Sequence, residues 1–173
     1  MKSFLYPLKE TWDDLCKRPV IDMSSLDTAV RSIIEQVRQE GDRAVRECTL
    51  KFDKVAVGDL KVSASETEEA AASVPGDLKK AINVALENIE KYHRSQLTKE
   101  KPVETTSGVR CWRENIPIEK VGLYIPAGSA PLFSTVLMLA IPARIAGCGK
   151  IILCTPPGRD GRIDPLILYT AGI

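Results

Sequence analysis

The residues with the most chemical potential in this sequence form a run of small and cyclic side chains. It reads Tyr124-Ile125-Pro126-Ala127-Gly128-Ser129-Ala130-Pro131, followed by Phe133, Ser134 and Thr135. A Gly, Pro and Ser turn between a strand and a helix presents free backbone N–H groups at the helix start, which favour an anion. Its small residues let a dinucleotide or phosphate come close to the backbone. The same residue types also shape a tight strand-to-helix connection with no ligand at all. Neither G-x-G-x-x-G nor G-x-x-x-x-G-K-[ST] is present, because Gly149-Lys150 is followed by Ile151.

The other reactive side chains have plainer readings. Tyr124, at the end of an apolar run, reads as a core ring whose hydroxyl finds a polar partner. Cys154 could attack an aldehyde if its thiol were activated, but no histidine stands nearby in sequence, so it reads, like Cys111, as a buried inert thiol. His93 is the only histidine and sits at the boundary of an amphipathic helix, a common place for a surface histidine. The five cysteines, at 16, 48, 111, 148 and 154, show no C-x-x-C spacing, and zinc ligands are not spaced for a site. Their odd number, with a Met-Lys-Ser-Phe start unlike a secretion leader, points to free thiols in a reducing cytoplasm.

The totals narrow the function further. With 24 basic and 23 acidic residues the net charge is +1, so no basic field for nucleic acid exists. The Lys and Arg residues between 79 and 101 alternate with Glu87, Glu90 and Glu100 as on a solvated helix face. Glu66, Glu68 and Glu69 suit the first turn of a helix. At 44% hydrophobic and 27% charged, 173 residues make a folded globular chain of one domain, or one plus part of another. The longest uncharged stretch, Val121 to Ala143, has the length of a membrane span, but Gly122, Pro126, Gly128, Pro131 and Pro142 break it into a strand, a turn and a helix.

The elements that position the turn follow from periodicity. Residues 1–20, with Pro7, Trp12 and Pro19, form an irregular lead-in. Ser24 or Ser25 caps a helix carrying Leu26, Val30, Ile33, Ile34 and Val37, which ends at Gly41. Asp42 caps a second helix that buries Ala44, Val45, Cys48 and Phe52. Leu60 to Val62 is a short strand, and Ser65 with Glu68 is a capping box for a helix ended by Pro75-Gly76. A longer helix after Asp77 buries Leu78, Ile82, Ala85, Ile89 and Tyr92. Gly108 to Arg113 alternates as one half-exposed strand. Val121 to Ile125 and Ile151 to Cys154 read as fully buried strands flanking an apolar helix from Ser134 or Thr135 to Ala146, kinked near Pro142. A further helix starts at Pro165. The fold class is therefore α/β, with a helix-rich region over 21–120 and the start of a Rossmann-like parallel βαβ domain over 121–173.

Two parallel strands do not complete a sheet. Either the N-terminal half or a partner chain completes it, or the sequence is the front part of a longer protein. The uncovered apolar strand edges predict self-association or aggregation.

The run from Val121 to Pro157, VGLYIPAGSAPLFSTVLMLAIPARIAGCGKIILCTPP, closely resembles histidinol dehydrogenase, as do Gly41-Asp42 leading to Phe52-Asp53 and Gly108 to Cys111. Ala127 stands where the family commonly has a second glycine, which stiffens the loop. The resemblance implies a cytoplasmic homodimer that oxidises L-histidinol through the aldehyde to L-histidine with two NAD and one zinc. It implies NAD contact by Tyr124, Pro126, Gly128 and Ser129. It also implies that the zinc ligands and the catalytic Glu-His pair lie on downstream motifs, so that this chain alone is inactive. The alternative is a standalone, non-catalytic nucleotide-binding or dimerisation module of the same fold.

Overall fold

The structure, a computed structural model, describes residues 3–18, 24–98, 100–126 and 130–173. The chain forms two compact units, Met1–Ala44 and Val45–Ile173.

In the first unit a turn of 3-10 helix (Lys9–Thr11) leads into the short α1 (Trp12–Cys16), and α2 spans Ser24–Glu40. The periodicity of Leu26, Val30 and Ile34 does produce the helix, but these three side chains stay exposed, while Ile33 and Val37 are half-buried. Whether Ser24 or Ser25 caps α2 rests on side chains outside the described residues. Gly41 ends α2 with a φ of 59°, a backbone conformation that suits glycine.

Helix α3 (Asp42–Phe52) crosses from one unit into the next. Its Ala44 is buried, and Val45 and Cys48 are half-buried, but Phe52 is exposed, contrary to expectation. At the helix end the Lys51 ammonium lies 5.2 Å from the centroid of its ring.

Two further expectations fail in the next segment. Leu60 to Val62 forms no strand; among the described residues no strand lies beside it to bond. The capping box is Ser63 with Glu66, two residues earlier than expected, and it opens α4 (Ala64–Ser73). The Ser63 backbone N–H donates to Glu66 Oε2 at 2.8 Å, and the Glu66 N–H donates to Ser63 Oγ at 3.2 Å. The Ser63 hydroxyl also donates to that carboxylate at 2.8 Å.

The backbone donor of Ser63, then its hydroxyl, and lastly the charge of Arg162 hold the Glu66 carboxyl below its ordinary value. Because the folded value is the lower one, this group contributes stability above the ordinary glutamate range and loses it as pH falls through the lowered value. Ser63→Ala, which removes the hydroxyl but keeps the backbone donor, is expected to move the Glu66 titration upward in a 13C NMR measurement. An unmoved titration contradicts that role for the hydroxyl.

Helix α5 (Gly76–Arg94) packs on α6 (Phe133–Ala146). Ile82, Leu137 and Ile141 form the buried centre of that contact, supported by Leu78, Ala85, Leu86 and Ile89. Tyr92, expected on the same face, is exposed because it lies in the last turn of α5, past that cluster. Beyond α5 the single expected strand is a two-stranded antiparallel hairpin, β1 (Val103–Thr106) with β2 (Val109–Cys111). Every residue of both strands is exposed.

Strands β3 (Lys120–Tyr124) and β4 (Lys150–Cys154) pair in parallel around α6, the βαβ unit expected from the sequence. The expectation of full burial is corrected. Along both strands exposed and half-buried residues alternate, because α6, with Ile167 of α7 (Pro165–Gly172), packs on one face and the described residues leave the other open. On the covered side Ile125, Val136 and Ile167 form a second core. Between sheet and helices a cavity of about 210 Å³ is lined by Leu123, Ile151, Leu153 and Ala140. Thr170 also lines it, and its hydroxyl is the one buried side-chain polar atom without a partner among the described residues. Helix α6 closes on Gly147, whose φ of 88° places it in the left-handed region. Proline 142 lies inside that helix, as expected.

Candidate functional site

The register of the parallel pair runs from Lys120 opposite Lys150 to Tyr124 opposite Cys154, so both strands finish at one level. One more backbone bond, from the Ile125 N–H to the Cys154 carbonyl at 2.9 Å, holds the two exits side by side. The chain leaves β3 through Pro126 and re-enters the unit at α6; it leaves β4 through Thr155 and Pro156 and re-enters at α7. Parallel α/β units bind ligands in this crevice beyond the carboxyl ends of the strands. A cleft of about 220 Å³ opens there. Pro126, Ala130, Pro131 and Leu132 form one wall, and Thr155, Pro156, Gly158 and Ile163 the other.

The two helix starts facing this region differ in electrostatics. Asp164 caps α7, its carboxylate accepting the Leu166 N–H at 2.8 Å, so that end already carries a negative charge. Helix α6 begins after Leu132 with no side-chain cap and no acidic residue in its first turn. Its positive end therefore remains available to a negative group.

The far wall is a closed turn that the sequence reading passed over. The Gly158 N–H donates to the Arg162 carbonyl at 2.7 Å, the Gly161 N–H donates to the Gly158 carbonyl at 2.9 Å, and the Arg162 N–H donates to Asp160 Oδ1 at 3.1 Å. A Cβ on Gly158 would lie 3.0 Å from Asp160 Oδ1 and 3.2 Å from the Arg162 carbonyl, so a larger residue would have to push both groups aside by a few tenths of an ångström. The signal was present in Pro157-Gly158-Arg159-Asp160-Gly161, a cluster of turn formers straight after an apolar strand.

The structure separates the expected site residues. Pro126 lines the cleft. Tyr124 does not; it is 63% exposed on the open face of the sheet, opposite an exposed Cys154. Neither is the core residue expected, because no element among the described residues covers that face. Cys111 is likewise exposed, on the hairpin. Gly128 and Ser129, with Ala127, lie outside the described residues. His93 is half-buried near the C-terminal end of α5, where its Nδ1 meets Gln96 Oε1 at 2.7 Å. All five cysteines are free. Among the described residues no three His, Cys, Asp or Glu side chains gather as a metal requires. No helix among them is long and apolar enough to cross a membrane.

Comparison with known proteins agrees with this architecture. The chain is 52% identical over 171 residues to the histidinol dehydrogenase of Bacteroides fragilis strain YCH46, covering 99% of this chain and 40% of that protein. It is 53% identical to that of Bacteroides thetaiotaomicron, with the same coverage. The crystal structure of histidinol dehydrogenase from Elizabethkingia anophelis superposes with a TM-score of 0.92 at 49% identity, over 99% of this chain and 40% of that one. The chain thus spans about 40% of the length of the curated relatives it matches. The sequence pattern of the family described as histidinol dehydrogenase matches residues 16–173, and with this α/β fold the chain belongs to that family.

Proposed function

We propose that this chain is the N-terminal portion of a zinc- and NAD-dependent histidinol dehydrogenase, and that it supplies part of the NAD site but not the catalytic centre. The complete enzyme, in this reading, is a cytoplasmic homodimer oxidising L-histidinol to L-histidine. The observation that carries the reading is a match over nearly all of this chain, at about half identity, to relatives bearing that name.

The residues fit a dinucleotide. The cleft beyond β3 and β4 has apolar walls for a flat ring, and the uncapped start of α6 suits a pyrophosphate. NAD, when bound, supplies the hydride acceptor. The chain's own residues bind and orient: Pro126 and Pro156 bound the cleft, and in this reading the cofactor reaches past it to the Tyr124 ring, exposed on the open face of the sheet two residues before Pro126. Zinc does not fit the described residues, which bring no donor set together. Its ligands, and the Glu-His pair for proton transfer, belong in this reading to the part of the relatives' length that this chain does not span. The exposed Ile118 and Ile152 support an assembly that covers apolar surface.

Titration of the chain with NAD, followed by calorimetry, is expected to show saturable binding that Tyr124→Ala weakens by about fivefold, the loss of one aromatic contact. Tyr124 is exposed, so circular dichroism should be unchanged in the variant. Binding untouched by Tyr124→Ala removes Tyr124 from the site.

A further inference from the structure

We infer that a groove at the end of the βαβ unit opposite the cofactor cleft binds a small organic cation, a primary ammonium with an apolar body. The groove, about 440 Å³ in volume, lies where α5 and α6 end and where Pro117 leads into β3. Its apolar side is built by Ile116, Pro142 and Ile145.

The polar groups on its wall favour positive charge. On that wall His93 Nδ1 and Gln96 Oε1 lie 2.7 Å apart, so the ring is held in place. The Asn115 amide donates to the Thr98 carbonyl at 3.3 Å, which leaves its own oxygen to accept. Glu114 contributes a carboxylate that has no hydrogen bond or ion pair among the described residues.

The helices add to this preference. The C-terminal ends of α5 and α6 both face the groove, and helix C-termini carry partial negative charge. No lysine or arginine lines it among the described residues. The neighbouring guanidinium groups are engaged elsewhere: Arg94 with Glu90 at 2.5 Å, Arg113 with Glu100, and Arg144 with the Ile173 carbonyl. A cation entering the groove meets acceptors and a carboxylate with no competing positive side chain on its wall. None of these residues belongs to the cofactor cleft, so the inference stands apart from the NAD reading.

His93 is the only histidine, so its ring gives the single imidazole signal of the chain. Titration with phenethylammonium, read on the 15N and 13C resonances of His93, is expected to show a saturable shift. The neutral 2-phenylethanol is expected to bind about fivefold more weakly, the discrimination an exposed carboxylate provides. Glu114→Gln, at an exposed position that leaves the fold intact, is expected to erase that difference. Absence of a saturable shift with phenethylammonium overturns the inference. Equal affinity for the charged and neutral probes, or a preference that survives Glu114→Gln, overturns it as well.

Discussion

Ile82→Ala is expected to lower the stability of the Val45–Ile173 unit by about 2–5 kcal/mol, the range for truncating a buried isoleucine to alanine. Ile82 is 1% exposed and stands at the centre of the cluster in which α5 meets Leu137 and Ile141 of α6. Removing its outer carbons opens a gap in the cluster against which Leu78, Leu86 and Ile89 pack, and α5 and α6 cannot close it without moving relative to each other. Since α6 also carries Val136 into the second core beneath the strands, the loss is transmitted to the βαβ unit. Urea denaturation should show a lower midpoint with an unchanged slope. Val84→Ala, at a position exposed on the opposite face of α5, should change the stability by less than about 0.5 kcal/mol. Equal effects at the two positions contradict this account of the core.

Much of the fold is legible in the residues because helical period and local punctuation agree. In α5, Leu78, Ile82, Ala85 and Ile89 recur on one stripe with charged residues opposite, and those positions pack on α6. The βαβ unit is legible from two apolar runs around a long apolar helix closed by Gly147. What is not legible depends on contacts that no local pattern encodes. Ser63 and Ser65 each precede a glutamate by three residues, and only the structure selects Ser63.

Strand β1 reads Val-Glu-Thr-Thr with every residue exposed; it is held by pairing to β2, and by the Gly108 N–H donating to Glu104 Oε1 at 3.0 Å, rather than by burial. The open face of β3 and β4 was hidden for the converse reason. An apolar run looks the same whether both faces are covered or one is, so Tyr124 and Cys154 read as buried though both are exposed. Within the candidate site, Pro126 was legible from its place in the turn. The glycine-closed turn at Gly158 was visible as turn chemistry but not as a cleft wall, because its position depends on strand pairing distant in sequence.

The larger functional effect concerns turnover. An enzyme that oxidises an alcohol with a metal as Lewis acid needs a ligand set and a positioned base as well as a bound dinucleotide. The described residues offer a cleft at the strand ends but no three metal ligands together. The relatives that carry the histidinol dehydrogenase name are much longer, this chain spanning 40% of each. Cofactor binding and catalysis are therefore expected to part company in this chain, with the first retained and the second reduced to background.

The most direct measurement is absorbance at 340 nm of the purified 173-residue chain with L-histidinol, NAD and zinc, run beside an equally purified preparation lacking the chain. The account predicts no NADH above that control, while the same preparation binds NAD in the calorimeter. NADH formed in proportion to the chain and dependent on L-histidinol contradicts it, because it places the metal ligands and the base within these residues.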